Sequence, residues 1–89
     1  MKVLFEYNGH QIVASRGIVT ADLTIDARIY DTINDFEKTQ LQSYKLKGSI
    51  PTENGETDEV VVEVKLGFPS DTVSCYYNGN LIGQQKVVF

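Results

Sequence analysis

Apolar and polar residues alternate along much of this chain with a period of two, the spacing of β-strands that bury one face. The pattern is clearest over residues 59–66, where Val60, Val62 and Val64 fall on one side and Glu59 and Glu63 on the other. A slip of one residue would move the valines into water, so the alternation fixes which face is inside. We predict six further strands, at residues 3–7, 10–14, 19–25, 44–47, 72–77 and 81–88.

Turn sequences separate these strands. Asn8-Gly9 and Asn78-Gly79 each stand between β-rich runs, and Asn-Gly favours a hairpin because both central residues of a type I′ turn need positive φ. Asn54-Gly55 lies in a polar loop, and Asp26-Ala27 is predicted as a turn in which alanine stands where glycine is easier. Turns spaced by roughly ten residues predict one all-β domain over residues 1–89, an antiparallel sandwich or flattened barrel of seven or eight strands built from hairpins.

The apolar positions also predict the core. Three hairpins, around residues 8–9, 26–27 and 78–79, carry apolar residues at equivalent places, which either a duplication or any core-facing hairpin would produce. Residues 31–40 fit a strand poorly, so we predict a connection there, with Phe36 tucked inward and Asp35 able to cap a single helical turn. The predicted core comprises Phe5, Ile12, Leu23, Ile25, Leu46, Val60, Val62, Val64 and Val73.

Composition narrows the functional classes. The net charge is −4 and the eight Lys and Arg are scattered, which argues against a nucleic-acid partner. No apolar stretch approaches the ~20 residues that cross a bilayer, so we expect no membrane partner. Cys75 is the only cysteine, so no intrachain disulfide can form, which favours the cytoplasm. The acidic stretch over residues 53–63 lacks the ligand spacing of a calcium loop and is interpreted as a solvated hairpin loop.

Few residues could carry chemistry. His10, the only histidine, directly follows a tight turn, and Cys75 faces inward with no cation nearby in sequence to lower its pKa. One His and one Cys cannot supply a zinc site. The isolated glycines do not form a phosphate loop. We therefore assign no catalytic, metal-binding or cofactor-binding residue, and predict that the protein is not an enzyme.

A small interaction patch is the main candidate site. Tyr76 points opposite to Cys75 and faces Leu81 across the last hairpin, and we group Val88 with this pair as a surface for a protein partner. Leu4 and Val13 would extend the patch if their strands adjoin it. The alternative is that both faces of this hairpin are covered by the sandwich. The final segment, residues 85–89, is apolar, and Lys86 is its only charged residue that would oppose pairing with another strand. A homodimer through this edge strand is therefore also predicted.

The recurring strand, Asn-Gly, strand hairpins at residues 7–12 and 77–82 resemble the all-β domains of the Fas apoptotic inhibitory molecule family. The chain is also similar to short uncharacterised bacterial cytosolic proteins. Asp26-Ala27 and the absence of tryptophan depart from the first pattern. The resemblance implies a fold, and not a role.

From these features we predict a small non-enzymatic β-sandwich module that binds a partner or ligand that the sequence does not identify. One alternative is a structural subunit of a larger phage or surface assembly, which polymer formation would favour. The other is a small enzyme, which would need His10, Cys75 and a carboxylate to converge in one concave pocket.

Overall fold

In a computed structural model that describes residues 1–88, the chain forms antiparallel strands and a short helical turn. The strands are β1 Lys2–Tyr7, β2 His10–Arg16, β3 Thr20–Ile25, β4 Arg28–Asn34, β5 Tyr44–Pro51, β6 Thr57–Lys65, β7 Ser70–Tyr77 and β8 Asn80–Val88. A π-helical turn, Glu37–Leu41, lies between β4 and β5. Among the described residues, no helix has the length and apolar character needed to cross a membrane.

The strands form two four-stranded sheets. Strands β1 to β4 form the first in chain order, and β5 to β8 form the second in the same way. The sheets pack face to face with β4 near β5 and β1 near β8, which confirms the all-β prediction and gives a sandwich of eight strands. The hairpin turns at residues 8–9, 26–27, 52–56 and 78–79 meet at one end, the turn end; the connections at residues 17–19, 35–43 and 66–69 meet at the other, the loop end.

Backbone conformation confirms the predicted hairpin turns. Asn8, Asp26 and Asn78 have φ of 51°, 51° and 49°, and the residue after each also has positive φ, as type I′ turns require. At the middle turn that second residue is Ala27, with φ of 67°. Left-handed backbone crowds the Cβ of an L-residue, so this turn retains strain that the two Asn-Gly turns avoid.

The inner faces of both sheets form one core, and all nine predicted core residues are buried in it. Glycine allows the sheets to approach at the corner between β8 and β1, where a Cβ on Gly83 would lie 2.7 Å from the Phe5 ring. On the outer face, Lys45 pairs directly with Glu63, with the charged groups 3.9 Å apart. Alternation therefore predicted which face is buried.

Two of the three similar hairpins contain a β-bulge, which their turns do not require. Tyr30 in β4 and Ile82 in β8 are each the unpaired residue of a β-bulge, at the same distance from their turns. A bulge adds one residue to one strand and increases the local twist. The two sheets therefore end in hairpins of the same shape.

The connection before β5 differs from its prediction. Residues 28–34 form an edge strand, and Phe36 is 49% exposed, so the prediction that it tucks inward is wrong. Thr39 takes the buried position instead, because its single hydroxyl proton can be donated to the carbonyl oxygen of Asp35 at 2.9 Å or to that of Val19 at 3.3 Å. The predicted cap is present, since the Asp35 carboxylate accepts the backbone amide of Glu37 at 2.9 Å.

Candidate functional site

The three connections at the loop end contact one another through side chains. Gln40 Nε2 donates to the Gly17 carbonyl oxygen at 2.8 Å, and the Thr39 hydroxyl donates to that of Val19 at 3.3 Å. These bonds join the helical turn to the β2–β3 connection. The Ser43 hydroxyl accepts the Leu66 amide at 3.1 Å, so the β6–β7 connection is joined to them as well.

These connections expose large apolar side chains. Of the ten large hydrophobic residues exposed in the described chain, five lie on these connections. Phe68 is 92% exposed and Ile18 84%, the two highest values among them. Exposed apolar clusters of this kind mark interaction sites, because no core packing accounts for them. We call Ile18, Val19, Phe36, Leu41 and Phe68 the loop-end surface.

A buried ion pair lies directly below the loop end and connects its segments. Arg16, at the end of β2, places Nη2 2.6 Å from Asp71 Oδ2 at the start of β7, and their side chains are 11% and 1% exposed. The other Asp71 oxygen accepts the Gly67 amide at 3.2 Å, and Arg16 Nη1 donates to the Thr39 carbonyl oxygen at 3.4 Å. The pair thus ties both sheets, the helical turn and the β6–β7 connection together, and it holds the exposed side chains on a fixed support.

A small pocket lies among the same loops. Its volume is about 170 Å³ and its walls include Gln40, Leu66 and Gly67 beside the ion pair. The Tyr44 hydroxyl is buried close to Arg16 and has no hydrogen-bond partner within residues 1–88. Burial raises the pKa of Tyr44, and the nearby guanidinium opposes that rise. The hydroxyl is therefore a neutral donor at ordinary pH, and a water molecule is the smallest group that would satisfy it.

The turn end carries a different cluster. His10 Nδ1 lies 2.6 Å from Asp26 Oδ2, and the Tyr77 hydroxyl donates to Asp58 Oδ2 at 2.7 Å. The Gln11 amide and then His10 hold the pKa of Asp26 below its ordinary value, and hydrogen bonds from Asn78 and Tyr77 do the same for Asp58. Both carboxylates are ionised and already bonded, so this cluster stabilises the turns in their observed arrangement.

Cys75 lies inside the sandwich, where the alternation places it. It is fully buried, and burial raises its pKa to about 11, so the thiol stays protonated near neutral pH. His10 is bonded to Asp26, and no hydrogen bond joins it to Cys75 in the described structure. The described residues also contain no group of three or more His, Cys, Asp or Glu placed to hold a metal ion.

The residues of the predicted patch do not lie together. Tyr76 is half-buried and pairs directly with Leu81, which is 54% exposed, on the outer face of the second sheet. Val88 is 72% exposed but pairs with Ser70, about 23 Å along β8 from Leu81 at ordinary strand rise. Leu4 lies on the outer face of the first sheet, so it does not extend the patch. The role of Tyr76, Leu81 and Val88 in binding stays a prediction.

Side chains partly cover the sheet edges at both corners. Gln85 Nε2 donates to the Leu4 carbonyl oxygen at 2.9 Å, and Asp31 Oδ2 accepts the Lys47 amide at 2.8 Å. Each bond occupies one backbone group that a foreign strand would need. The last residue of the predicted edge segment, Phe89, lies outside the described residues, and a homodimer through this edge stays a prediction.

The sequence analysis missed the loop-end surface, although a signal for it was present. Ile18 and Val19 follow Gly17, and Phe68 lies between Gly67 and Pro69, so large apolar residues occupy turn-rich segments where polar ones are usual. Such residues have no core to enter. Their position in a loop is itself evidence for an exposed apolar site.

Fold and site together define a small β-sandwich with a braced, apolar loop surface. No protein-family model, curated protein or solved structure matches this chain. The resemblance to the Fas apoptotic inhibitory molecule family therefore stays a prediction, and the evidence for function comes from the chain itself.

Proposed function

We propose that this protein is a non-enzymatic interaction module that docks a protein partner on its loop-end surface. The observation that carries the proposal is the exposure of five large apolar side chains on three connected loops. At about 150 to 250 Å² for a fully exposed aromatic side chain, Phe36 and Phe68 alone present roughly 210 to 350 Å² of apolar surface, and Ile18, Val19 and Leu41 add to it. The largest patch on a monomeric protein is usually about 300 to 600 Å², so this surface suits a partner.

The support beneath the surface favours specific binding over unspecific adhesion. Flexible loops lose conformational entropy when a partner orders them, which weakens association. Here the Arg16–Asp71 pair holds the loops to the two sheets, and the Gln40 side chain holds two of the loops to each other, before any partner arrives. Phe68, the most exposed of the five, is the expected hot spot, because large aromatic side chains dominate most interfaces.

An enzymatic role has less support. A cysteine nucleophile needs a lowered pKa and access to substrate, and Cys75 has neither. A cytoplasmic location accords with this single buried thiol, because the chain has no second cysteine with which Cys75 could form an intrachain disulfide.

The test compares two double variants that differ only in where the new charges lie. Ile18→Lys/Leu41→Lys alters the loop-end surface, at side chains that are 84% and 67% exposed. Ile29→Lys/Leu81→Lys makes the same chemical change on the outer sheet faces, at 70% and 54% exposure. Immobilised wild-type chain and both variants are incubated with extract of the native cell, and retained proteins are quantified by mass spectrometry.

We expect a partner that the wild type and the outer-face variant retain and the loop-end variant loses. Circular dichroism must show that both variants are folded. Loss with the outer-face variant alone would move the site to the outer sheet faces around Ile29 or Leu81. Equal retention by all three chains would contradict the proposal.

A further inference from the structure

We infer that the pocket at the loop end binds one carboxylate group, supplied by an Asp or Glu side chain of the docked partner. This inference rests on the proposed docking role and deepens it, because it names the chemical group of the partner that the pocket recognises. Three features support it: the room inside the pocket, the hydrogen-bond donors in its wall, and the distribution of charge on the molecule.

The pocket has room for the end of a side chain. Its volume is about 170 Å³, and its walls are Arg16, Gln40, Leu66, Gly67 and Asp71. A cavity needs only about 10 to 15 Å³ to hold one water molecule, so a larger group fits. The walls come from both sheets, the helical turn and the β6–β7 connection, so the pocket lies where the partner docks.

The buried wall of the pocket has more hydrogen-bond donors than acceptors. Arg16 has five N–H groups, and the described structure pairs one with Asp71 Oδ2 and one with the Thr39 carbonyl oxygen. The other Asp71 oxygen accepts the Gly67 amide. The buried Tyr44 hydroxyl beside Arg16 also has no acceptor within residues 1–88. This cluster lacks an acceptor, whereas a cation would find no unbonded carboxylate oxygen in it.

A carboxylate meets this requirement better than a phosphate or a neutral group. Its oxygens only accept hydrogen bonds, and the planar guanidinium of Arg16 suits them. Asp71 already opposes the charge of Arg16, so a single negative charge is accommodated more easily than the two of a phosphate. Hydrogen bonds between charged groups are stronger than neutral ones, which favours a carboxylate over an amide.

Charge on the rest of the molecule directs an acidic group to the loop end. Outside the ion pair, the loops and the strand positions beside them carry four lysines against three acids: Lys2, Lys38, Lys65 and Lys86 against Asp22, Asp35 and Glu37. The Met1 ammonium, which donates to the Arg16 carbonyl oxygen at 3.2 Å, adds to the positive groups. The turn end carries six acids against Arg28: Glu6, Asp26, Glu53, Glu56, Asp58 and Glu59. An acidic partner is therefore repelled from the turn end and not from the loop end.

NMR titration of the full chain tests the site with acetylglutamate amide, compared at equal ionic strength with the neutral acetylglutamine amide. We expect the carboxylate probe to shift the Gly67 backbone amide and the Gln40 side-chain amide. The Kd should be on the order of 10 mM, because a single group beside an existing ion pair binds weakly. The neutral probe should bind at least about tenfold more weakly. The amides of Gly9 and Gly79 at the turn end should not shift.

Two variants with the same type of substitution separate charge in the pocket from the loss of a hydrogen bond. Gln40→Glu places a carboxylate in the pocket wall and removes a 2.8 Å bond to a backbone carbonyl oxygen. Gln85→Glu removes a 2.9 Å bond of the same kind at the corner between β8 and β1. Because like charges repel, Gln40→Glu should weaken binding of the probe at least about tenfold and retain less of the partner from cell extract. Gln85→Glu should match the wild type in both measurements, with circular dichroism showing that both variants are folded.

Contrary results overturn the carboxylate site in distinguishable ways. No shift of either reporter amide up to about 100 mM probe would leave water as the only occupant. Tighter binding of inorganic phosphate, or equal binding of the neutral probe, would show that the pocket recognises another group. These results leave the docking role to the Ile18→Lys/Leu41→Lys comparison, which does not depend on the pocket. If that comparison contradicts docking while the probe binds, the carboxylate does not come from a docked partner.

Discussion

Removing one member of the buried Arg16–Asp71 pair should destabilise the whole sandwich. In Asp71→Ala, the guanidinium loses its 2.6 Å partner while its side chain stays only 11% exposed, and the Gly67 amide loses its acceptor. Breaking such a pair costs about 3 to 5 kcal/mol, because a charge is left buried without compensation. Arg16 borders the small pocket, which admits some water, so we expect the lower end, about 3 kcal/mol.

That loss is large for this chain. A domain of this length has a free energy of unfolding of roughly 4 to 13 kcal/mol, so the variant should lose a quarter to most of it. At about 4 to 8 °C per kcal/mol, the melting temperature should fall by roughly 12 to 24 °C. Urea unfolding followed by circular dichroism measures both the midpoint and the free energy.

A double-mutant cycle separates the pair from its surroundings. Arg16→Met should cost at least as much as Asp71→Ala, because Asp71 is the more deeply buried partner. The double variant leaves no unpaired charge and should cost less than the two single changes added together. Lys45→Ala, which breaks a 3.9 Å exposed pair, serves as control and should change the free energy by less than about 0.5 kcal/mol. Additive single effects, or an Asp71→Ala cost below about 1 kcal/mol, would refute the reasoning.

Three further predictions concern the turn at Ala27, the turn-end carboxylates and the Cys75 thiol. Ala27→Gly should raise the melting temperature by about 2 to 4 °C, because the relief of left-handed strain exceeds the entropy that glycine adds to the unfolded chain. Ala21→Gly, the control in buried β3, should lower the melting temperature. Because the pKa values of Asp26 and Asp58 lie below the ordinary 3.8, their stabilisation is present above that pH and is lost as the pH falls through the lowered values. Asp26→Asn should therefore flatten melting temperature against pH below about pH 4. Cys75, with its pKa raised to about 11, should react with a thiol reagent at about pH 8 only as fast as the chain unfolds; rapid labelling of folded protein would contradict its burial.

The fold was largely predictable because its information is local. Val60, Val62 and Val64 alternate with polar residues, and that period alone determines which face is buried. Asn8-Gly9 and Asn78-Gly79 determine the turn type because few other pairs adopt positive φ twice. Both signals act over a few residues and need no knowledge of distant segments.

The loop-end site depends on contacts that no local pattern encodes. Arg16 and Asp71 lie 55 residues apart, and in sequence Asp71 is simply the last residue of a turn-rich segment. Phe36 illustrates the same limit, because hydrophobicity predicts burial, whereas Thr39 occupies the interior position and its hydroxyl finds carbonyl acceptors there. A polar residue occupies that position because its hydrogen bonds offset the cost of burying it, and a hydropathy pattern contains no information about hydrogen bonds.

The two ends of the sandwich differ in the way expected if one serves folding and the other binding. At the turn end, Asp26 and Asp58 already have hydrogen-bonding partners within the chain, so little remains there for a partner to satisfy. At the loop end, Arg16 and Asp71 bind each other, while Ile18 and Phe68 project into solvent without stabilising the core. Exposed apolar side chains are an aggregation risk that gives no stability in return. Their concentration on loops that a buried ion pair holds in place accords with the proposed docking role.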